Sequence, residues 1–287
     1  MIRTLPNSKT YSLGYRALIA YYFILMFAPL AVVCVLAFNN SIFTSLPWSG
    51  FTWDWFIGEG PEKIGFFNDE RNMNGVIISF YTAFFVTILT LIIGTLAAFL
   101  FEQEEFVGKK YLYFLLIAPL VVPGVILGIS ILSFSNSMGT YIETNTGLYL
   151  KMFAPGFWLV ILGQSTYITP YVTLVVMARL KKFDRTLEEA AYNLGANRFE
   201  VIWHITLKFL KPAMIAAGAV AFVLSFDNFN TTLFLVGSEP TMPITLFTQV
   251  RDGSTPVINA ISVLIVTAVC LIAAINLIIA HQKHKVK

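Results

Sequence analysis

The chain has 287 residues, of which 57% are hydrophobic and 12% charged, with a mean hydropathy of +0.74 and a formal net charge of +3. Soluble domains carry about 25% charged residues, so this chain has too little polar surface to face water all round. That excludes a globular soluble protein and assigns the apolar surface to lipid.

Six apolar runs follow one another: Leu18–Phe38, Val76–Phe101, Tyr111–Phe134, Met152–Ala178, Pro212–Gly237 and Val257–Ala280. Each has the ~20 residues that a helix rising 1.5 Å per residue needs to cross a ~30 Å hydrocarbon core. Five contain no Asp, Glu, Lys or Arg, and the fifth contains only Asp227. The expected fold is therefore all-α and polytopic, one membrane domain over residues 1–287 with six transmembrane helices. The first run is too long for a signal-peptide core, and Phe38-Asn39-Asn40-Ser41 is a poor cleavage site, so it reads as a retained span.

The segment Asn39–Gly75 carries Trp48, Trp53 and Trp55 near its start, followed by acidic residues including Glu62. It reads either as an interfacial aromatic belt with a polar loop or as a docking surface for an external partner. The third run contains Pro119, Pro123, Gly124 and Gly128. The fourth contains Pro155 and Pro170 with Gln164, Ser165, Thr166, Tyr167 and Thr169 between them. Breakable, polar spans are tolerated where they face protein or a water-lined path. Runs three to five are thus candidates for an inner lining, with ordinary packing through small and hydroxyl residues as the alternative.

Between runs four and five lies Arg179–Lys211. Asp184 suits a helix start, with Glu188 and Glu189 in the first turns where negative charge meets the dipole. Leu187, Ala190, Ala191 and Leu194 fall at helical spacing, and Gly195 stands where a C-terminal stop belongs. A second helical stretch is expected over Phe199–Phe209.

Charge placement orients the chain. If six spans alternate, 15 of the 19 Lys and Arg fall on one side, and only Lys63, Arg71, Lys151 and Arg251 on the other. By the positive-inside bias both termini, and the 179–211 loop, are cytoplasmic. Cys34 and Cys270 lie inside spans and suit neither a disulfide nor a metal site. His204, His281 and His284 lack clustered carboxylates or thiols, so no metal is expected.

The loop also carries a resemblance. Glu189-Ala190-Ala191, then Gly195, then Ile205-Thr206-Leu207, is similar to the signature loop of the inner-membrane permeases of binding-protein-dependent ABC importers. The usual Pro after the Leu is replaced by Lys208, and a Pro comes only at Pro212. Leu224-Ser225-Phe226-Asp227-Asn228, Phe234-Leu235-Val236-Gly237, Met242-Pro243-Ile244 and Val257-Ile258-Asn259-Ala260 resemble the spermidine/putrescine branch, in particular its second permease subunit.

The resemblance implies a bacterial inner-membrane permease forming half of a translocation path for a small solute, and its spermidine/putrescine branch implies a polyamine. It implies as partners a second, non-identical permease, two cytoplasmic ATPases, and a periplasmic or lipid-anchored binding protein. It makes Glu189, Ala190, Ala191 and Gly195 the ATPase-coupling residues. No Gly-x-x-x-x-Gly-Lys-Ser/Thr loop occurs in the chain, so the chain is not expected to be an enzyme and needs no cofactor; ATP and Mg belong to the ATPase. No nucleic-acid partner is expected.

Asp227, with Asn228 and Tyr167, is a candidate for the substrate path: a charge at depth usually faces a cavity or a partner, and a carboxylate with aromatic neighbours suits a polyamine. Capping of a broken span, or pairing across a subunit interface, is the alternative for Asp227. Competing functions are a permease for another small solute, an ion-coupled secondary transporter and a membrane enzyme. The last two call for clustered intramembrane ionisable groups, or internal symmetry in the transporter's case.

Overall fold

A computed structural model describes residues 9–60, 63–253, 255–268 and 270–271. The chain divides into two compact units, one made of the residues up to Met73 and from Thr248 onward, the other of Asn74–Phe247.

In the first unit, helix α1 (Lys9–Leu36) is exposed over most of residues 11–36, Pro29 included, with Ser12, Val33, Cys34 and Leu36 half-buried. An unburied 28-residue helix with apolar residues all round is suited to lipid or to a partner. The segment after it is organised by Asn39, whose Oδ1 accepts from the Ser49 amide at 2.8 Å, while its carbonyl accepts from the Trp55 indole at 2.8 Å. Phe38, Phe51, Trp53 and Phe56 stack around this point with ring centroids 4.9–5.8 Å apart. A single turn, α2 (Asp54–Ile57), and a two-residue antiparallel pairing of Glu59–Gly60 with Lys63–Ile64 complete it.

Helix α3 (Glu70–Gln103) leads into the second unit. Its 34 residues give a length of about 51 Å, well beyond a hydrocarbon core. The third apolar run does not form one helix. α4 (Lys109–Ile117) stops in a 3-10 turn at Ala118–Leu120, and α5 begins only at Gly124 and continues to Thr146. Pro119 and Pro123 remove backbone donors and disfavour helical residues before them, so the break falls where the prolines are. α5 overruns the expected end at Phe134, and the hydroxyls of Ser137, Thr144 and Thr146 in the overrun are satisfied by carbonyls one turn back, at 2.7–3.0 Å.

Helix α6 (Phe157–Leu180), containing Pro170, is the most buried long helix among the described residues. α7 (Thr186–Asn193) is the short helix of the loop. α8 (Arg198–Val201) runs through a π turn (Ile202–Thr206) into α9 (Leu207–Phe226). The expected separate stretch Phe199–Phe209 is thus the lower part of one 29-residue helix. α10 (Thr232–Leu235) and α11 (Met242–Asp252) follow. A final helix, α12, is described over Val257–Ala268; beyond it only residues 270 and 271 of the sixth run are described, and His281 and His284, which follow the run, lie outside the described residues.

Five described helices are long and apolar enough to cross a membrane. The second unit packs α6 against α3 and α9, with Val86, Ala98, Ile168, Val172, Val176, Leu210, Ala217 and Ala221 in the core. Close approach needs glycine at Gly94, where a Cβ would stand 2.7 Å from Val172 Cγ1.

Candidate functional site

Two places bring together the residues singled out in the sequence. The first is the loop between α6 and α8. Asp184 Oδ1 accepts from the Thr186 amide at 3.0 Å and the Thr186 hydroxyl at 2.8 Å, which fixes the start of α7. These bonds favour the charged form and hold the Asp184 carboxyl below its ordinary value. The far end of α7 is closed by a Schellman motif. Gly195 N–H donates to Tyr192 O at 2.9 Å and Ala196 N–H to Ala191 O at 3.1 Å, with Gly195 at φ +89°. The expected glycine stop is there for the expected reason, since a left-handed residue favours glycine.

Glu189 and Ala190 are exposed, Ala191 is half-buried, and Leu194 is 89% exposed. An apolar tip with an adjacent carboxylate is thus presented outward. Its base is held by Asn197 and Glu200, whose capping box starts α8 with bonds of 2.9 and 3.0 Å. Arg179 lies over the Phe209 ring, 4.0 Å from its centroid, and its Nε donates to Phe209 O at 3.4 Å, joining the end of α6 to the base of α9. Arg185 reaches Glu102 O at 3.3 Å, and Arg198 reaches Glu104 at 3.5 Å. The exposed Arg198 pair adds little stability, but both contacts tie the loop's flanks to the end of α3.

The second place is the break after α9. Phe226 is the last residue of α9, and Asp227 caps it with its amide on Val223 O at 3.1 Å. Asp227 is exposed. A buried polar network spans the break. Ser225 Oγ donates to Gln164 Oε1. Gln164 Nε2 donates to Thr232 Oγ1 at 2.7 Å, and Thr232 Oγ1 donates to Asn228 Oδ1 at 3.2 Å. The Thr231 amide adds a 3.2 Å bond to the same Asn228 oxygen. Gln164 is fully buried; in that setting each unmet polar group is costly. The other side of the break is packed by glycine. A Cβ at Gly128 of α5 would lie 2.8 Å from Thr231 O.

Of the expected path residues, Asp227 and Asn228 therefore sit together at this break. The Asn228 amide oxygen is committed to the network, and the Asp227 carboxylate is exposed. Tyr167 lies on α6, its hydroxyl 3.1 Å from that of Tyr171. Among the described residues no hydrogen bond or ring contact joins it to Asp227. Gln164 is the residue to which sequence reasoning gave no role of its own. Its signal was a long amide side chain inside an uncharged apolar run.

The family described as binding-protein-dependent transport system inner membrane component matches residues 90–286. The chain belongs to that family and is a multi-pass inner-membrane transport permease.

Its relatives are more particular. It is 32% identical over 255 residues to the putrescine transport system permease protein PotI of Escherichia coli strain K12, covering 88% of this chain and 85% of the relative. It is 28% identical over 261 residues to the spermidine/putrescine transport system permease protein PotC of Haemophilus influenzae, covering 90% and 93%. In fold it is similar to a chain of a bacterial ABC transporter involved in import of the acidic polysaccharide alginate. That likeness has TM-score 0.69 and 11% identity over 95% of this chain and 99% of the other.

Proposed function

We propose that this chain is one of two non-identical permeases that form the path of an ATP-driven polyamine importer. The observation that carries the reading is the exposed helix α7. It is a capped, Schellman-closed protrusion bearing Glu189 and Leu194, on a permease related at 32% identity to a putrescine permease.

In this reading residues 1–287 form one permease domain with six spans and both termini in the cytoplasm, as the distribution of Lys and Arg supports. The loop 179–211 is its coupling element. Glu189, Ala190, Ala191 and Gly195 dock on one of two cytoplasmic ATPases, which carry ATP and Mg. A periplasmic or lipid-anchored binding protein delivers the solute from the other side. ATP-driven approach of the ATPases pushes α7, and the spans exchange between inward-open and outward-open states. Bound solute biases that equilibrium only through contacts that differ between the states.

Asp227, Asn228 and Tyr167 line the path. An exposed carboxylate at a helix break supplies the acceptor for an ammonium, and aromatic faces suit both the cation and its methylene chain. The test is reconstitution of the complex with its operon partners in liposomes. Spermidine- or putrescine-dependent ATP hydrolysis with uptake of the same solute is expected. Hydrolysis stimulated by a different class of solute, with none by either polyamine, would move the cargo elsewhere in the family.

A further inference from the structure

Several buried helical hydroxyls in this protein turn to the carbonyl one turn back. Thr90 donates to Val86 O at 2.8 Å, Thr169 to Ser165 O at 2.7 Å and Thr173 to Thr169 O at 2.9 Å. That bond is local and satisfies the hydroxyl at no cost in tertiary order.

Thr206 bonds to another helix, as Ser225 does. It is fully buried, at the last position of the π turn between α8 and α9. Its hydroxyl donates instead to Glu188 Oε1, 18 residues earlier, at 2.7 Å. Glu188 lies in the first turn of α7 and is half-buried, whereas its neighbour Glu189 is exposed. Among the described residues this is the one side-chain hydrogen bond or ion pair that joins α7 to another helix. A hydroxyl bonded to a carboxylate is about twice as strong as a neutral pair, and burial of the donor raises the penalty for losing it. π turns also concentrate at functional positions of helices.

We propose that Glu188 and Thr206 form a latch that makes α7 and the base of α9 move as one body, so that displacement of α7 is delivered to the Phe226–Asp227 break. This deepens the importer reading and rests on it. Without the latch, α7 is held to the base of α9 by packing and its flanking turns alone, and part of a push on it is absorbed by the loop. With it, the push enters a helix that is continuous from Arg198 to Phe226. Glu188 is a positioning residue here; the docking contacts remain those of Glu189 and its neighbours.

Thr206→Val keeps the side chain's shape and removes the donor; Thr206→Ser keeps the donor. In the reconstituted complex, with a spermidine-loaded cognate binding protein, Thr206→Val is expected to lower stimulated hydrolysis and uptake about tenfold, within the range of coupling between sites. Basal hydrolysis and co-purification of the ATPase are expected unchanged, and Thr206→Ser is expected to retain coupling. Stimulation of Thr206→Val at the level of the unsubstituted protein would overturn the latch. If that variant fails to assemble, Glu188→Ala, which leaves the buried threonine in place, carries the test. The same tenfold loss is expected of it, and unaltered stimulation would overturn the proposal. Absence of hydrolysis stimulated by a polyamine or by any other class of solute in the unsubstituted complex would overturn the importer reading itself, and the latch with it.

Discussion

Replacing Gln164 with Leu is the most informative perturbation of the break. The change keeps approximate volume and removes both the acceptor for Ser225 and the donor for Thr232. The two hydroxyls do not suffer equally. Ser225 Oγ can turn to a carbonyl of its own helix, while Thr232 keeps Asn228 as acceptor and loses only its donor. A buried polar atom left without a partner costs about 1–3 kcal/mol, but inter-helix bonds in membranes average about 0.6 kcal/mol. Leucine returns some apolar packing. The expected net loss is about 1–2 kcal/mol, a factor of roughly 5–30 in the folded-to-unfolded ratio. The readout is the unfolding midpoint of the purified protein in mixed mild and denaturing detergent, alongside polyamine uptake in the complex. Thr166→Leu is the control, because Thr166 is on the same helix, exposed, and bonded to its own Leu162 carbonyl at 3.1 Å. Its midpoint should be unaltered. A Gln164→Leu midpoint equal to that of the unsubstituted protein, with full uptake, would refute the argument that this network holds the break.

Glu189→Ala and Gly195→Asp should each abolish ligand-stimulated ATP hydrolysis while the chain still inserts. The second forces a side chain onto a φ of +89°, and normal stimulation in both would remove α7 from the coupling role. Gly128→Val should impair uptake and lower stability, since its Cβ meets the Thr231 carbonyl at 2.8 Å; this is read from the same unfolding assay. A reporter fused after Lys287 should be active only in its cytoplasmic form and a tag near Glu62 should be labelled from outside, and the reverse pattern would contradict the charge argument. Asp227→Asn should weaken polyamine uptake roughly 10- to 150-fold, the equivalent of about 1.5–3 kcal/mol for a charged hydrogen bond. Uptake kinetics across solute concentrations measure it; loss of assembly instead would assign Asp227 to a subunit interface.

The membrane character was legible because it depends on composition over long windows, and helix existence follows from length and apolarity alone. The loop was legible for a different reason: Asp184, Gly195 and the apolar spacing between them act within a few residues, and the local bonds at each end of α7 are what such residues make. The third span was only half legible. Pro119 and Pro123 announced a kink, but the reach of α5 past Phe134 runs through Ser, Asn and Thr residues, whose hydroxyls are satisfied along their own helix and which composition reads as polar loop. Gln164 and Glu188 were visible as residues and illegible as roles. Their partners lie 61–68 and 18 residues away along the chain, and no local pattern states which distant hydroxyl a side chain will meet.

The break at Asp227–Thr231 gains physical sense from these non-local bonds. A span that merely ends in an unpaired turn at membrane depth leaves backbone and side-chain groups to be satisfied by protein or water. Here the inner face of the break is satisfied by Gln164, Thr232 and Asn228, and packed by Gly128. The carboxylate of Asp227 is left exposed. One side of the break is therefore fixed to α6 and α5, and the other presents a carboxylate without an ion-pair partner among the described residues. A purely structural cap would need no such asymmetry, because a neutral Asn or Ser bonds a helix end as well and carries no charge to keep solvated. A path for a cation needs both halves: an anchored wall, and a charge whose partner is the cargo. That is why the Asp227→Asn variant, which preserves hydrogen bonding and removes only charge, separates the two.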